Sequence, residues 1–366
     1  MNFSAYTWAL AGCLVSLASA QESVVDPFLG EPFRAAYFDA GDGGRYHATL
    51  VSYPFGSTRP ALDSADLDKT VRPKAAVLYV HGFNDYYFQK LSAEKLDSAG
   101  YAFYAIDLHN YGRSLRKGEV IGELRDIASY FPELDSAFAR ISAEVGDSVP
   151  KVLLGHSTGG LVSVLYAGAR DNGKNLGAIV LNSPFFEMNQ PWIVRDVFTP
   201  LLSKIGAVFP DITIPRGKED NYSISLLKDQ KGEWEFDTTL KVPGSIPVDF
   251  GWGAAIHNGQ LVVQEGMNLV PPVLVMHSSC SFKETEWSEE VTRCDVVLDI
   301  DDIRNYGAHL GPDVHLVQVQ DGLHDLYLSR KEVRDNAYQV TIKFLDDLFA
   351  KDMAPACKSS EPESGN

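Results

Sequence analysis

The stretch from Lys151 to Arg170 limits what this chain can fold into more than any other. Val152-Leu-Leu154 is an apolar run, Gly155-His-Ser-Thr-Gly159 is a turn, and Leu161 to Arg170 is an amphipathic helical segment. A serine flanked at two positions on either side by glycine, between a strand and a helix, sits in a sharp and crowded turn. Small neighbours relieve the crowding, while the serine itself takes a strained backbone conformation. The hydroxyl is then presented at the carboxyl end of the strand. The following amide, that of Thr158, points where charge would form on a reacting oxygen.

The same alternation runs through most of the chain. Residues 34–39 and 45–53 read as strands joined at Gly41-Asp-Gly-Gly44, and Ser57 to Lys74 as a polar loop. Residues 75–80, 101–106, 151–155, 177–182, 272–277 and 314–320 read as further strands. Helices are expected up to Ala99 and over 132–145, 157–170, 303–310 and 331–349. Near-continuously apolar strands alternating with helices predict an α/β fold, a mostly parallel central sheet with helices on both faces. Such sheets carry their chemistry at the carboxyl ends of the strands. A chain of 366 residues is ample for that core.

The alternation breaks between Pro184 and Pro271, nearly ninety residues rich in Pro, Gly, Trp and Phe. A structureless loop of that length does not suit a compact domain, so the segment reads as an inserted cap over the strand ends. The expected division is 21–184 for the first part of the core, 185–255 for the cap, 256–352 for the second part and 353–366 for a flexible tail. Apolar residues from Trp192 to Phe209 suggest a lid helix, packed on the domain or in transient contact with a lipid surface.

Residues 1–20 read as a secretory signal peptide. Trp8 to Leu17 is apolar and Ala18-Ser-Ala20 is a small-x-small cleavage site, although no Lys or Arg precedes them. The apolar run is too short to span a bilayer comfortably. A secreted, extracellular protein is therefore expected, and Cys280 and Cys294 could close a short disulfide loop there, leaving Cys357 in the tail. Asn221-Tyr-Ser223 is a candidate N-glycosylation site. A net charge of −17 argues against nucleic acid or an anionic membrane surface as partner.

A serine nucleophile needs a base within hydrogen-bond reach, and the base needs an acid that fixes its tautomer. Of the histidines after the serine (257, 277, 309, 315 and 324), only His324 lies just past the carboxyl end of a strand, in Asp321-Gly-Leu-His-Asp325. The acid is expected after strand 272–277. Asp299, Asp301 and Asp302 suit the start of the following helix, which leaves Asp295, separated from His277 by seventeen residues. Glu284, Glu286, Glu289 and Glu290 are rivals in the same loop. A second oxyanion donor, beside the Thr158 amide, is expected at the Phe83 amide, where Gly82 lets the chain come close.

Gly155-His-Ser-Thr-Gly-Gly160, His81-Gly-Phe83, Asp107-Leu-His-Asn-Tyr-Gly-Arg-Ser114, Asp295-Val-Val-Leu-Asp299 and Gly322-Leu-His-Asp325 together resemble the α/β-hydrolase superfamily. The nearer likeness is to its monoacylglycerol-lipase and lysophospholipase-like branch, which includes serine aminopeptidase-like members. The resemblance covers nearly all of residues 45–350 and implies Ser157 as nucleophile, Asp295 as acid, His324 as base, and Phe83 and Thr158 as oxyanion donors. The loop from His277 to Asp295 is longer than in monoacylglycerol lipases and carries the cysteine pair, which loosens the assignment of the acid. The expected activity is hydrolysis of a carboxylic ester (monoacylglycerol, lysophospholipid or small acyl ester) through an acyl-enzyme, with no metal or cofactor. An aminopeptidase-like or lactone hydrolase, or a non-catalytic binding protein, are the alternatives on the same fold.

Overall fold

The computed structural model describes residues 23–58, 72–189, 205–206, 208–214, 221–244, 246–283 and 286–349. The expected leader at 1–20, the expected tail at 353–366 and most of the apolar stretch from Trp192 lie outside the described residues. The strands in the first half are β1 (Val24–Val25), β2 (Arg34–Ala40), β3 (Tyr46–Tyr53), β4 (Ala76–Val80), β5 (Ala102–Asp107), β6 (Lys151–His156) and β7 (Ala178–Asn182). In the second half come β8 (Thr213–Ile214), β9 (Val248–Asp249), β10 (Val273–Ser278) and β11 (Val314–Val319). The helices are α1 (Lys90–Ser98), α2 (Phe131–Val145), α3 (Thr158–Ala169), α4 (Asn221–Leu226), α5 (Phe250–Gln264), α6 (Ile300–Gly307) and α7 (Lys331–Phe349).

Among the described residues one sheet runs in the order β1-β2-β3-β5-β4-β6-β7-β10-β11. The hairpin strands β2 and β3 join β5 antiparallel, and every pairing from β5 through β4, β6, β7 and β10 to β11 is parallel. The period of two along each strand divides the apolar side chains between two cores. Ala76, Leu78 and Val80 of β4 pack with α2, α3 and α5, whereas Val77 and Tyr79 face the other way, toward α1 and α7. This is the α/β-hydrolase architecture, with buried central strands and chemistry available only at their ends.

β7 and β10 are sheet neighbours, with Val273 opposite Ile179. The intervening segment therefore leaves at the carboxyl end of β7, beside the end of β6, and returns to the amino end of its parallel neighbour β10. Its described parts include α4 and the antiparallel pair β8–β9. The expected boundary between 255 and 256 needs correction, because it falls inside α5, a single helix capped by Asp249, whose side chain accepts from the Trp252 amide at 2.7 Å. Trp252, Ala255, Ile256, Gly259, Gln260 and Val263 form a buried stripe at helical spacing, and the helix packs on α3. A Cβ on Gly259 would come within 2.7 Å of Ile127 and 2.9 Å of Leu165, so glycine is what allows the close crossing. The core thus resumes at Phe250. Three glycines in one helix (Gly251, Gly253 and Gly259) are what disguised it, since glycine is a poor helix former.

Candidate active site

β6 ends at His156, α3 begins at Thr158, and Ser157 between them has φ 51° and ψ −119°. A non-glycine residue at such a dihedral pair costs about 1–3 kcal/mol and persists only when its neighbours hold it. Here the Ser157 amide donates to the Asn182 carbonyl at 3.0 Å, and the Gly160 and Leu161 amides donate to the Ser157 carbonyl. The glycine two residues later is required by packing: a Cβ on Gly159 would sit 2.2 Å from the Val80 carbonyl oxygen and 2.4 Å from that of His81.

The structure brings together the three side chains expected from the sequence. His324 Nε2 lies 3.0 Å from Ser157 Oγ, and His324 Nδ1 lies 2.9 Å from Asp295 Oδ2. The other carboxylate oxygen, Asp295 Oδ1, accepts from the amides of Val297 and Leu298, each at 2.8 Å. Asp295 is 0 % exposed, His324 3 % and Ser157 8 %, so the carboxylate's bonds come from protein groups and the serine hydroxyl is the member nearest solvent.

The long separation of Asp295 from β10 has a simple cause. The chain leaves the strand end, makes an excursion and returns to its own starting point, where Cys280 and Cys294 are disulfide-bonded. The Asp295 amide donates to the Cys280 carbonyl at 2.8 Å and the Phe282 amide to the Asp295 carbonyl at 2.9 Å. Asp299 instead caps α6 by accepting from the Asp301 amide at 3.0 Å. Glu286, Glu289 and Glu290 are exposed, and Glu284 lies outside the described residues.

Asn182, at the end of β7, supports both the serine and the histidine turns. Its carbonyl accepts from the Ser157 amide and, at 3.1 Å, from His156 Nδ1–H. Its side-chain amide donates to Asp325 Oδ1 at 2.7 Å and its side-chain oxygen accepts from the Leu326 amide at 3.1 Å. Sequence reasoning passed over Asn182 and Asp325; a polar residue closing an apolar strand was the available signal. The other buried histidines play supporting parts. His81 Nε2 accepts from the Leu108 amide, while burial lowers the pKa of His156, of His277 and of His257 and favours their neutral rings.

The amides of Phe83 and Thr158 donate to no protein acceptor among the described residues, and both residues line the cavity above Ser157. Gly82 brings the Phe83 loop close: a Cβ there would lie 3.2 Å from Ser157 Cβ. The far end of that loop is fixed by the Asp107–Ser114 motif. Asp107 Oδ1 accepts from the Tyr87 amide at 2.9 Å, and Asp107 Oδ2 pairs with Arg113, whose guanidinium also forks onto Asp26 at 2.6 and 2.9 Å. All three side chains are fully buried. The two carboxylates raise the Arg113 pKa against the opposing effect of burial.

The cavity measures about 440 Å³. Its walls combine apolar groups (Phe83, Phe185, Met188, Ile246, Trp252, Leu298) with polar ones (Asn84, Asp85, Tyr222, Lys241). The Phe83 ring rests on Trp252, with centroids 4.7 Å apart, so the start of α5 forms one wall.

Comparison with known proteins gives a consistent picture. The family model described as serine aminopeptidase, S33, matches residues 71–281, a span that holds Phe83, Ser157 and Thr158 and stops short of Asp295 and His324. The chain is 27% identical over 206 residues to a monoacylglycerol lipase of Mycolicibacterium smegmatis, covering 56% of this chain and 69% of that relative. It is 33% identical over 117 residues to the phospholipase YtpA of Bacillus subtilis, covering 32% of this chain and 42% of that relative. Among solved structures, a soluble variant of the monoglyceride lipase of Saccharomyces cerevisiae superposes with a TM-score of 0.62 at 15% identity, covering 91% of this chain and 98% of the other. The monoacylglycerol lipase of Paleococcus ferrophilus gives 0.55 at 18% identity, covering 75% and 96%. At those identities the structural likeness speaks for the fold.

Proposed function

The chain belongs to the serine aminopeptidase, S33, family, and from that premise we propose that it is a serine hydrolase cleaving carboxylic esters through an acyl-enzyme. The observation that carries the reading is His324, placed between Ser157 Oγ and Asp295 Oδ2 at 3.0 and 2.9 Å. His324 Nε2 takes the Ser157 proton as Oγ attacks the ester carbonyl carbon. The Phe83 and Thr158 amides hold the resulting oxyanion. Collapse of the tetrahedral species expels the alcohol, which leaves with the proton from His324. Water then gives a proton to His324 and attacks the acyl-enzyme, and return of that proton to Ser157 releases the carboxylic acid. Nδ1–H donates to Asp295 throughout.

Monoacylglycerols, lysophospholipids and small acyl esters suit a cavity walled by Phe185, Met188, Trp252 and Leu298, and the named activities of the curated relatives point the same way. A peptidase binding a free amino terminus would need an unpaired carboxylate. Among the described lining residues the carboxylate is Asp85, which is already paired with Lys241 Nζ at 2.9 Å. Export is supported by the apolar run Trp8 to Leu17 with Ala18-Ser-Ala20 after it and by the Cys280–Cys294 disulfide. Transient lipid contact through the cap is supported by the exposed side chains of Val208, Phe209 and Ile212. Glycosylation of Asn221 would require loss of its side-chain bond to the Glu286 carbonyl.

A fluorophosphonate probe tests the reading directly. The folded protein should be labelled in a manner abolished by Ser157→Ala, and a chain-length series of nitrophenyl esters should be hydrolysed where aminoacyl nitroanilides are not. An unlabelled wild-type protein would end the proposal.

A further inference from the structure

Two consecutive residues of the loop that carries the Phe83 amide are matched to two consecutive residues of the cap. Asn84 Oδ1 accepts from the Val242 amide at 3.0 Å, and Asn84 Nδ2–H donates back to the Val242 carbonyl at 2.8 Å. The next residue, Asp85, accepts from Lys241 Nζ at 2.9 Å. Lys241 is buried, and its ammonium lies 5.8, 5.9 and 5.8 Å from the ring centroids of Phe88, Tyr222 and Phe236. Asn84 has φ 52°, a conformation unfavourable for a residue with a side chain unless something holds it.

We propose that this clasp sets the direction of the Phe83 amide, making Asn84 and Lys241 positioning residues through which the cap completes the oxyanion site. The inference rests on the proposed roles of Ser157 and Phe83 and deepens them. The reasoning is geometric. The Phe83 N–H lies in the Gly82–Phe83 peptide and Asn84 at positive φ orients the peptide that follows, so only the two backbone dihedrals of Phe83 stand between the anchored residue and the donor. The reciprocal pair of bonds to Val242 fixes Asn84 at both polar ends of its side chain. The Asp85–Lys241 pair then makes separation of loop and cap unfavourable, because opening would leave a buried charge without its partner. That charge matters locally: Asp85, His156 and Asp325 gather their ligating atoms within 4.8 Å of one another, and Lys241 supplies the countercharge. In this arrangement the cap is a component of the catalytic centre as well as its roof.

The test uses the full chain, with steady-state hydrolysis of a short-chain nitrophenyl ester and the rate of fluorophosphonate labelling as readouts. Asn84→Gly removes the side-chain bonds yet leaves a residue that takes positive φ without strain, so the loop's backbone is not itself penalised. Lys241→Met keeps the length of the side chain and removes its charge. A misplaced donor should lower kcat and kcat/KM together by about tenfold or more in each variant, with labelling slowed in parallel. Lys241→Arg, which can still pair with Asp85, should recover part of the loss. A kcat within about twofold of wild type in either folded variant, or a raised KM with kcat unchanged, overturns the proposal. If Lys241→Met fails to fold, Asn84→Gly decides alone. Absence of labelling in the wild-type protein would instead count against the parent reading.

Discussion

Replacing Asp295 by asparagine should abolish catalysis while leaving the fold in place, and the structure says why. The side chain is fully buried and the substitution keeps its volume. Asp295 Oδ1 receives two amide donors, from Val297 and Leu298, both at 2.8 Å. In Asp295→Asn the amide oxygen must take that position, because turning the NH2 group there would set it against two N–H groups. The NH2 group is thereby forced toward His324 Nδ1, which then has to accept. The proton moves to Nε2, the atom 3.0 Å from Ser157 Oγ, and the imidazole can no longer take the serine proton. The same inversion in a serine protease costs about 10⁴ in kcat, equivalent to roughly 5.5 kcal/mol of transition-state stabilisation. Hydrolysis of a nitrophenyl ester, measured beside a thermal melt, checks both halves. An Asp295→Asn protein that melts like wild type and retains kcat within about tenfold would refute the assignment of the acid and of the tautomer.

Two further outcomes follow from the same geometry. Opening the Cys280–Cys294 bridge by a double Cys→Ser substitution releases a loop of sequence separation 14, worth about 3 kcal/mol of stability on chain-entropy grounds. Because Asp295 follows Cys294 directly, kcat should fall as well; a urea melt and an ester assay, both unchanged, would rule this out. Arg113→Met leaves the buried carboxylates of Asp26 and Asp107 without their shared cation, and should destabilise the protein by about 3–5 kcal/mol in denaturant titration.

The fold was largely legible because it rests on local patterns. The expected strands, and the helices for which both ends were named, agree with the observed ones to within about three residues at each end. The serine turn was legible because sterics confine it to a short window: Gly159 admits no Cβ and Ser157 must take φ 51°. His324 could be named because one histidine followed a strand end. Asp295 was harder, since the cue is a distance along the chain, and a disulfide-closed excursion lengthened it without moving the acid away from β10.

Sequence alone, then, determined the alternation of elements, the serine turn and the candidate residues, all of which depend on neighbours a few positions apart. Tertiary structure decided which groups meet. It put Asn182 under both the serine and histidine turns, carried α5 back into the core at Phe250, and joined Asn84 and Asp85 to Val242 and Lys241 across more than 150 residues. No periodicity encodes those pairings. They arise because a parallel sheet gathers the ends of distant strands on one edge, where a buried polar group must find a partner from whatever segment the fold brings to it.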